Sequence, residues 1–165
     1  MGTAPLKLLL DTNVLVDEYI PARPHAEATR ALLTLAVTQG HQLLYSARVL
    51  PDVYFQICQY YKRQVLAERG EVSETDALAI KEIAMGCIHN LCEIGTAVGL
   101  DESDVWLACK YYRFNHDFED NFILAAAERA KADYLITSDK GLLGKATVAA
   151  LTPEDMHSLL EARAE

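Results

Sequence analysis

Long apolar runs are missing from this 165-residue sequence, and none comes near the roughly 20 residues a helix needs to span a bilayer. The start of the chain also lacks a basic stretch followed by an apolar core, the mark of a secretory leader. A soluble, cytoplasmic protein with no membrane contact is the expectation. Positive charge is in short supply, with 15 Lys and Arg against 24 Asp and Glu for a net charge of −9. That balance excludes a broad basic surface able to hold nucleic acid by charge alone. It leaves room for a local basic rim, and an acidic exterior suits a basic protein partner. Cysteine is scarce, and Cys58, Cys87, Cys92 and Cys109 form no CxxC pair and have no histidine at matching spacing. Neither a disulfide framework nor a zinc site is expected; the four fall mostly on the apolar side of helical patterns and are read as buried free thiols. Linkers rich in Pro, Gly or Ser, repeats and low-complexity stretches are also absent. One domain over residues 1–165 is expected. With 51% apolar residues it can bury about two-thirds of the surface its unfolded chain exposes.

Residues 6–10 form a continuous apolar run that stops on Asp11, the pattern of a buried parallel strand. A short helix is predicted over 14–19, a second from 28 to Gly40, and a strand over 41–45. Pro51 suits the first turn of a long helix that Gly70 ends, and Ser73 caps another. A third strand is predicted over 92–98. Asp101 caps a helix with Val105, Ala108, Cys109 and Tyr112 inward, and Asp117 caps the next, with Ile123, Ala126, Ala127 and Ala130 on one face. A strand over 134–137, a helical turn over 140–143, a strand near 147–151 and a terminal helix opened by Thr152-Pro153 complete the chain. Strands alternating with helices predict a parallel sheet covered on both faces, with ligands bound beyond the carboxyl ends of the strands.

Asp11 and Asp139 stand at such strand ends, while Asp52, Asp117 and Asp120 stand at helix starts. Any one of them alone could serve as a cap or first-turn acid worth ~0.5–2 kcal/mol. Brought together they repel, by ~4 kcal/mol for two charges about 4 Å apart at an effective dielectric of 20. Convergence therefore calls for a cation. Hard oxygen donors without His or Cys favour Mg2+ or Mn2+, ions suited to activating water and neutralising a phosphodiester. His25, His41, His89, His116 and His157 are scattered without ligand spacing. Arg23, Arg48 and Lys140 lie beside the acidic segments and are candidates for a basic rim that binds substrate. Helical spacing places Tyr54 and Tyr61 in the core and leaves Tyr111 open.

The segments Leu8-Leu9-Leu10-Asp11-Thr12-Asn13-Val14-Leu15-Val16-Asp17, Arg23-Pro24 and Ser46 to Tyr54 resemble the opening half of a PIN domain. Asp117-Phe118-Glu119-Asp120-Asn121, Ala125-Ala126-Ala127 and Ala132 to Asp139 resemble its closing half. The resemblance covers nearly the whole chain. It implies a three-layer α/β/α domain with a central, mostly parallel sheet, and a Mg2+- or Mn2+-dependent endoribonuclease that uses metal-activated water. By position, Asp11, Asp52, Asp120 and Asp139 match the family's acidic quartet, Asp117 is a neighbouring acid, and Asn13 matches the polar residue that steadies the first Asp. At Asp52 many members carry Glu, one methylene longer. Which of Asp117 and Asp120 ligates and which caps is open in the sequence. Bacterial members similar to this chain are often VapC-type toxins, which implies an RNA substrate, a cognate antitoxin and a homodimer. The alternative is a PIN-like module without catalysis that binds RNA or protein. A phosphate-accepting Asp11 is a third possibility, disfavoured because Asn13 stands where a phosphatase of the haloacid dehalogenase type has a second Asp.

Overall fold

Leu8, Leu9 and Leu10 are wholly buried, which a strand achieves at the centre of a sheet covered on both faces. In the computed structural model, which describes residues 4–164, they belong to β1 (Lys7–Leu10). The outermost residues of the expected 1–165 domain lie outside the described range. β2 (Gln42–Ser46) and β4 (Tyr134–Ile136) flank β1, with β3 (Gly95–Val98) beyond β2 and β5 (Ala150–Leu151) beyond β4. All four pairings are parallel. Leu9 stands opposite Leu44 on one side and Leu135 on the other, so leucines run across the middle of the sheet. Each such side chain, fully buried, contributes roughly 1.5–3 kcal/mol.

The helices are α1 (Thr12–Tyr19), α2 (Ala26–Thr38), α3 (Leu50–Arg69), α4 (Glu74–Ile94), α5 (Glu102–Tyr111), α6 (Phe118–Arg129), α7 (Lys140–Leu143) and α8 (Pro153–Ala164). They flank the sheet in a three-layer α/β/α arrangement, as expected. A 3-10 turn over Ala47–Val49 leads from β2 into α3, and Gly70, left-handed at φ 79°, ends that helix. Ser73 and Asp76 close the start of α4 reciprocally, each side chain accepting from the other's backbone N–H. Among the described residues no helix is long and apolar enough to cross a membrane.

Three local expectations need correction. α4 stays helical through Ile94, so β3 begins at Gly95 rather than at residue 92. Glycine fits that junction, because a Cβ there would lie 3.2 Å from the Tyr45 ring. In α5 the inward residues are Asp104, Leu107, Ala108 and Tyr111, while Val105, Cys109 and Tyr112 face solvent. The helix is turned because buried Asp104 pairs with Arg129 of α6, and Tyr111 donates a hydrogen bond to Glu128 of the same helix. All four cysteines are free, but only Cys58 and Cys87 are half-buried; Cys92 and Cys109 are exposed. The buried stripe of α4 is the narrow set Ile80, Ala84, Ile88 and Leu91, which leaves Cys92 outside it. Tyr54 and Tyr61 pack against the core as expected.

Candidate functional site

β1 delivers Asp11 to the carboxyl edge of the sheet, where its backbone N–H donates to the Ile136 carbonyl of β4 at 3.0 Å. Asp11 caps α1, with Oδ1 accepting from Thr12 N at 2.6 Å, and is only 4% exposed. Its other oxygen, Oδ2, accepts a hydrogen bond from Thr137 Oγ1 at 2.8 Å. The same hydroxyl oxygen accepts from Asp139 N at 3.0 Å, so one threonine fixes both strand-end acids. Asp139 in turn caps α7 through Oδ1, which accepts from Gly141 N and Leu142 N. Asp117 caps α6 through Oδ1, which accepts from Glu119 N and Asp120 N. The cap is therefore Asp117. Asp120 is half-buried in the first turn of α6.

These acids feel one another's charge. Burial raises the pKa of Asp11 above the ordinary carboxylate value; the bonds from Thr137 and Thr12 oppose that shift, and the charges of Asp139 and Asp117 add to it. Asp120 is pushed up to about 6, first by burial and then by the charges of Asp117, Asp11 and Asp139, with a hydrogen bond to Asn115 opposing. Four carboxylates from three separate parts of the chain thus share one field. Asp52 stands apart from that set: it is exposed in the first turn of α3, where its Oδ2 accepts from Gln56 Nε2 at 2.8 Å.

The remaining sequence candidates are placed as follows. Asn13 lies half-buried in the first turn of α1, while the bonds that hold Asp11 come from Thr12 and Thr137. Arg23 turns its Nε onto the buried carboxylate of Asp17. Arg48 pairs with Glu119 at 3.2 Å and stacks over the Phe122 ring. Lys140 is exposed at the first position of α7.

Three residues with site contacts escaped the sequence. Thr137 is buried beside the motif acids, and its partner Asp11 is 126 positions away. Asn115 is 1% exposed; its Oδ1 accepts from Asp117 N at 3.3 Å and from Lys145 Nζ at 3.2 Å. Gly141 permits the cap of α7, since a Cβ there would sit 3.0 Å from Asp139 Oδ1. Only Thr137 carried a signal, as a polar residue closing an otherwise apolar strand.

As a donor set these residues fit a hard divalent cation. They offer carboxylate oxygens alone, and their mutual repulsion is what a cation would relieve. Among the described residues, no group of three or more His, Cys, Asp or Glu is drawn close enough to hold a metal ion as placed. The capping bonds to Asp117 and Asp139 hold those side chains back against their own helices.

A family model described as PIN domain matches residues 7–141. Among solved structures, VapBC2 from Rickettsia felis bound to a DNA fragment from its promoter aligns with a TM-score of 0.62 at 12% identity, covering 89% of this chain and 98% of that one. FitAB bound to the IR36 DNA fragment aligns with a TM-score of 0.60 at 21% identity, covering 89% and 95%. A protein of Pyrobaculum aerophilum aligns with a TM-score of 0.57 at 15% identity, covering 95% and 96%. No curated protein matches the chain.

Proposed function

The chain belongs to the PIN domain family, as the match over residues 7–141 shows, and from that premise we propose that it is a Mg2+- or Mn2+-dependent endoribonuclease. The observation that carries this reading is the pair of strand-end acids Asp11 and Asp139 held by one buried threonine, Thr137, with half-buried Asp120 feeling their charges. Three of the four acids cap helices, whereas half-buried Asp120 gains nothing from that field without a cation. Asp11, Asp52, Asp120 and Asp139 are the proposed catalytic and metal-holding set, with Asp117 beside them. A bound divalent ion supplies charge neutralisation at the phosphodiester and a more acidic water.

The chain's own groups do the rest. Thr137 fixes the direction of Asp11 and the backbone of Asp139, so two ligand oxygens are oriented before any ion arrives. Asp120, its carboxyl pushed up to about 6 by burial and neighbouring charge, would offer an anionic oxygen to a cation held there. Lys140, at the start of α7, and Arg48, paired with Glu119 of α6, are the proposed contacts to substrate phosphates, together with Arg23, which is paired with Asp17. The likeness in fold to the VapBC2 and FitAB structures supports a toxin of a toxin–antitoxin pair, acting on RNA in the cytoplasm and restrained by a cognate antitoxin. A homodimer is proposed through α5, whose Trp106 and Val105 face solvent at 62% and 44% exposure.

One observation favours a second reading. Asp11, Asp117 and Asp139 all serve as helix caps, which suffices for a module that binds RNA or protein without cutting. The test is cleavage of a mixed single-stranded RNA pool in Mn2+, Mg2+ or EDTA by the parent and by Asp11→Asn. Loss of an outer partner of a metal ligand costs roughly 10–100-fold, so losing the ligand itself should cost at least that much. Equal cutting by parent and variant would sink the site assignment, and a parent inert in either metal would leave the non-catalytic module.

A further inference from the structure

A cleft of about 440 Å3 opens between the α1–α2 connection and α3, lined among others by Arg23, Phe55, Gln56, Gln59, Tyr60 and Arg63. None of its described lining residues is acidic, in a chain that carries 24 acids against 15 bases. Both guanidinium groups are anchored through Nε, that of Arg23 to Asp17 and that of Arg63 to the Gln59 carbonyl at 3.2 Å. Because Asp17 offsets the charge of Arg23, Arg63 supplies the net positive charge of the wall. Phe55 holds an aromatic ring 57% exposed, and Tyr60 is braced edge-on by Tyr61 with ring centres 5.1 Å apart. Gln56 links the cleft to Asp52, to which its Nε2 donates.

We infer that this cleft binds the single-stranded RNA segment flanking the cut, with Phe55 and Tyr60 offered to base faces, Gln59 to base edges and Arg63 to a phosphate. Aromatic faces interleaved with a cation are what single strands need, because every base has a face to stack and every nucleotide a charge to meet. From Phe55 to Arg63 the helix rises roughly 12 Å, so the cleft extends along α3 away from Asp52. The residue that touches both, Gln56, couples strand binding to the placement of Asp52.

This inference rests on the ribonuclease reading, and its test tells the two apart. Cleavage kinetics on a fluorescein-labelled single-stranded RNA in Mn2+ are measured for the parent, Phe55→Ala, Arg63→Gln and the exposed α4 control Lys81→Gln. Anisotropy titrations with the same RNA in EDTA are run over a salt series. Phe55→Ala is expected to raise KM roughly tenfold, with kcat unchanged. Arg63→Gln should reduce the slope of log affinity against log salt by roughly 0.7, the value for one phosphate contact on a single strand. Lys81→Gln should match the parent in both, and melting temperatures should not move, since Phe55, Arg63 and Lys81 are exposed. A parent that cuts while Phe55→Ala and Arg63→Gln retain its KM and salt slope overturns the cleft and leaves the nuclease standing. Unchanged RNA kinetics with weakened self-association in sedimentation overturns it in favour of a second protein chain as occupant. A parent that neither binds nor cuts RNA overturns the nuclease, and the cleft with it.

Discussion

The two edges of one sheet are built on opposite principles. At the amino edge polar groups are paired off: Asp133 Oδ2 accepts from Lys7 N at 2.7 Å, Asp133 N donates to the Lys7 carbonyl at 2.8 Å, and His41 Nδ1 accepts from Leu6 N at 3.0 Å. At the carboxyl edge the charges of Asp117 and Asp139 bear on Asp11 and Asp120, and a threonine hydroxyl with a few backbone N–H groups holds the set there. The leucines between are common to both. The contrast teaches that the amino edge is arranged for stability, whereas the other edge holds charge the fold would be better without, the usual signature of a site.

The sharpest way to break this contrast is at Thr137. Thr137→Val keeps the shape and strips the hydroxyl from Asp11, at an expected cost of about 1–3 kcal/mol in urea unfolding at pH 7. The hydroxyl also accepts from Asp139 N, so the variant takes a partner from both strand-end acids at once. A loss under about 0.5 kcal/mol would mean that Thr137 serves packing alone. Asp133→Ala tests the amino edge, where removing an exposed acceptor should cost about 0.5–1.5 kcal/mol, with and without Mn2+ alike. A metal-dependent cost there would erase the distinction between the edges. The smallest effect has the opposite sign. Asp120 has its folded pKa raised from 3.8 to about 6, so the folded state holds this proton more tightly and loses stability as pH rises through that window. Metal-free Asp120→Asn should therefore melt above the parent at pH 7, by roughly 2–4 °C after allowing for partial exposure, and level with it below about pH 4. A lower melting temperature at pH 7 would show that Asp120 is structural.

The acids were legible because each stands where a strand or loop gives way to a helix, and that change of period is visible in sequence. So was the parallel sheet, since residues 6–10 are apolar without alternation. The face of α5 was not. An acid such as Asp104 reads as solvent-facing until Arg129, 25 positions later, is known to lie against it. Local pattern also could not end α4 at Ile94, because what starts β3 there is the space that Gly95 leaves for the Tyr45 ring. Asn115 had no signal at all: its 1% exposure is a product of packing around the start of α6.

The bond from Thr137 to Asp11 spans 126 residues, and β1 lies between β2 and β4 in the sheet. During synthesis the first acid therefore emerges early and waits with one flank of its strand unpaired. Only when residues 134–139 have left the ribosome can β4 close beside it and bring Asp139 into place. Assembly of this edge is bound by topology to the arrival of β4, so a copy cut short before residue 117 holds a lone aspartate where the folded domain holds the set.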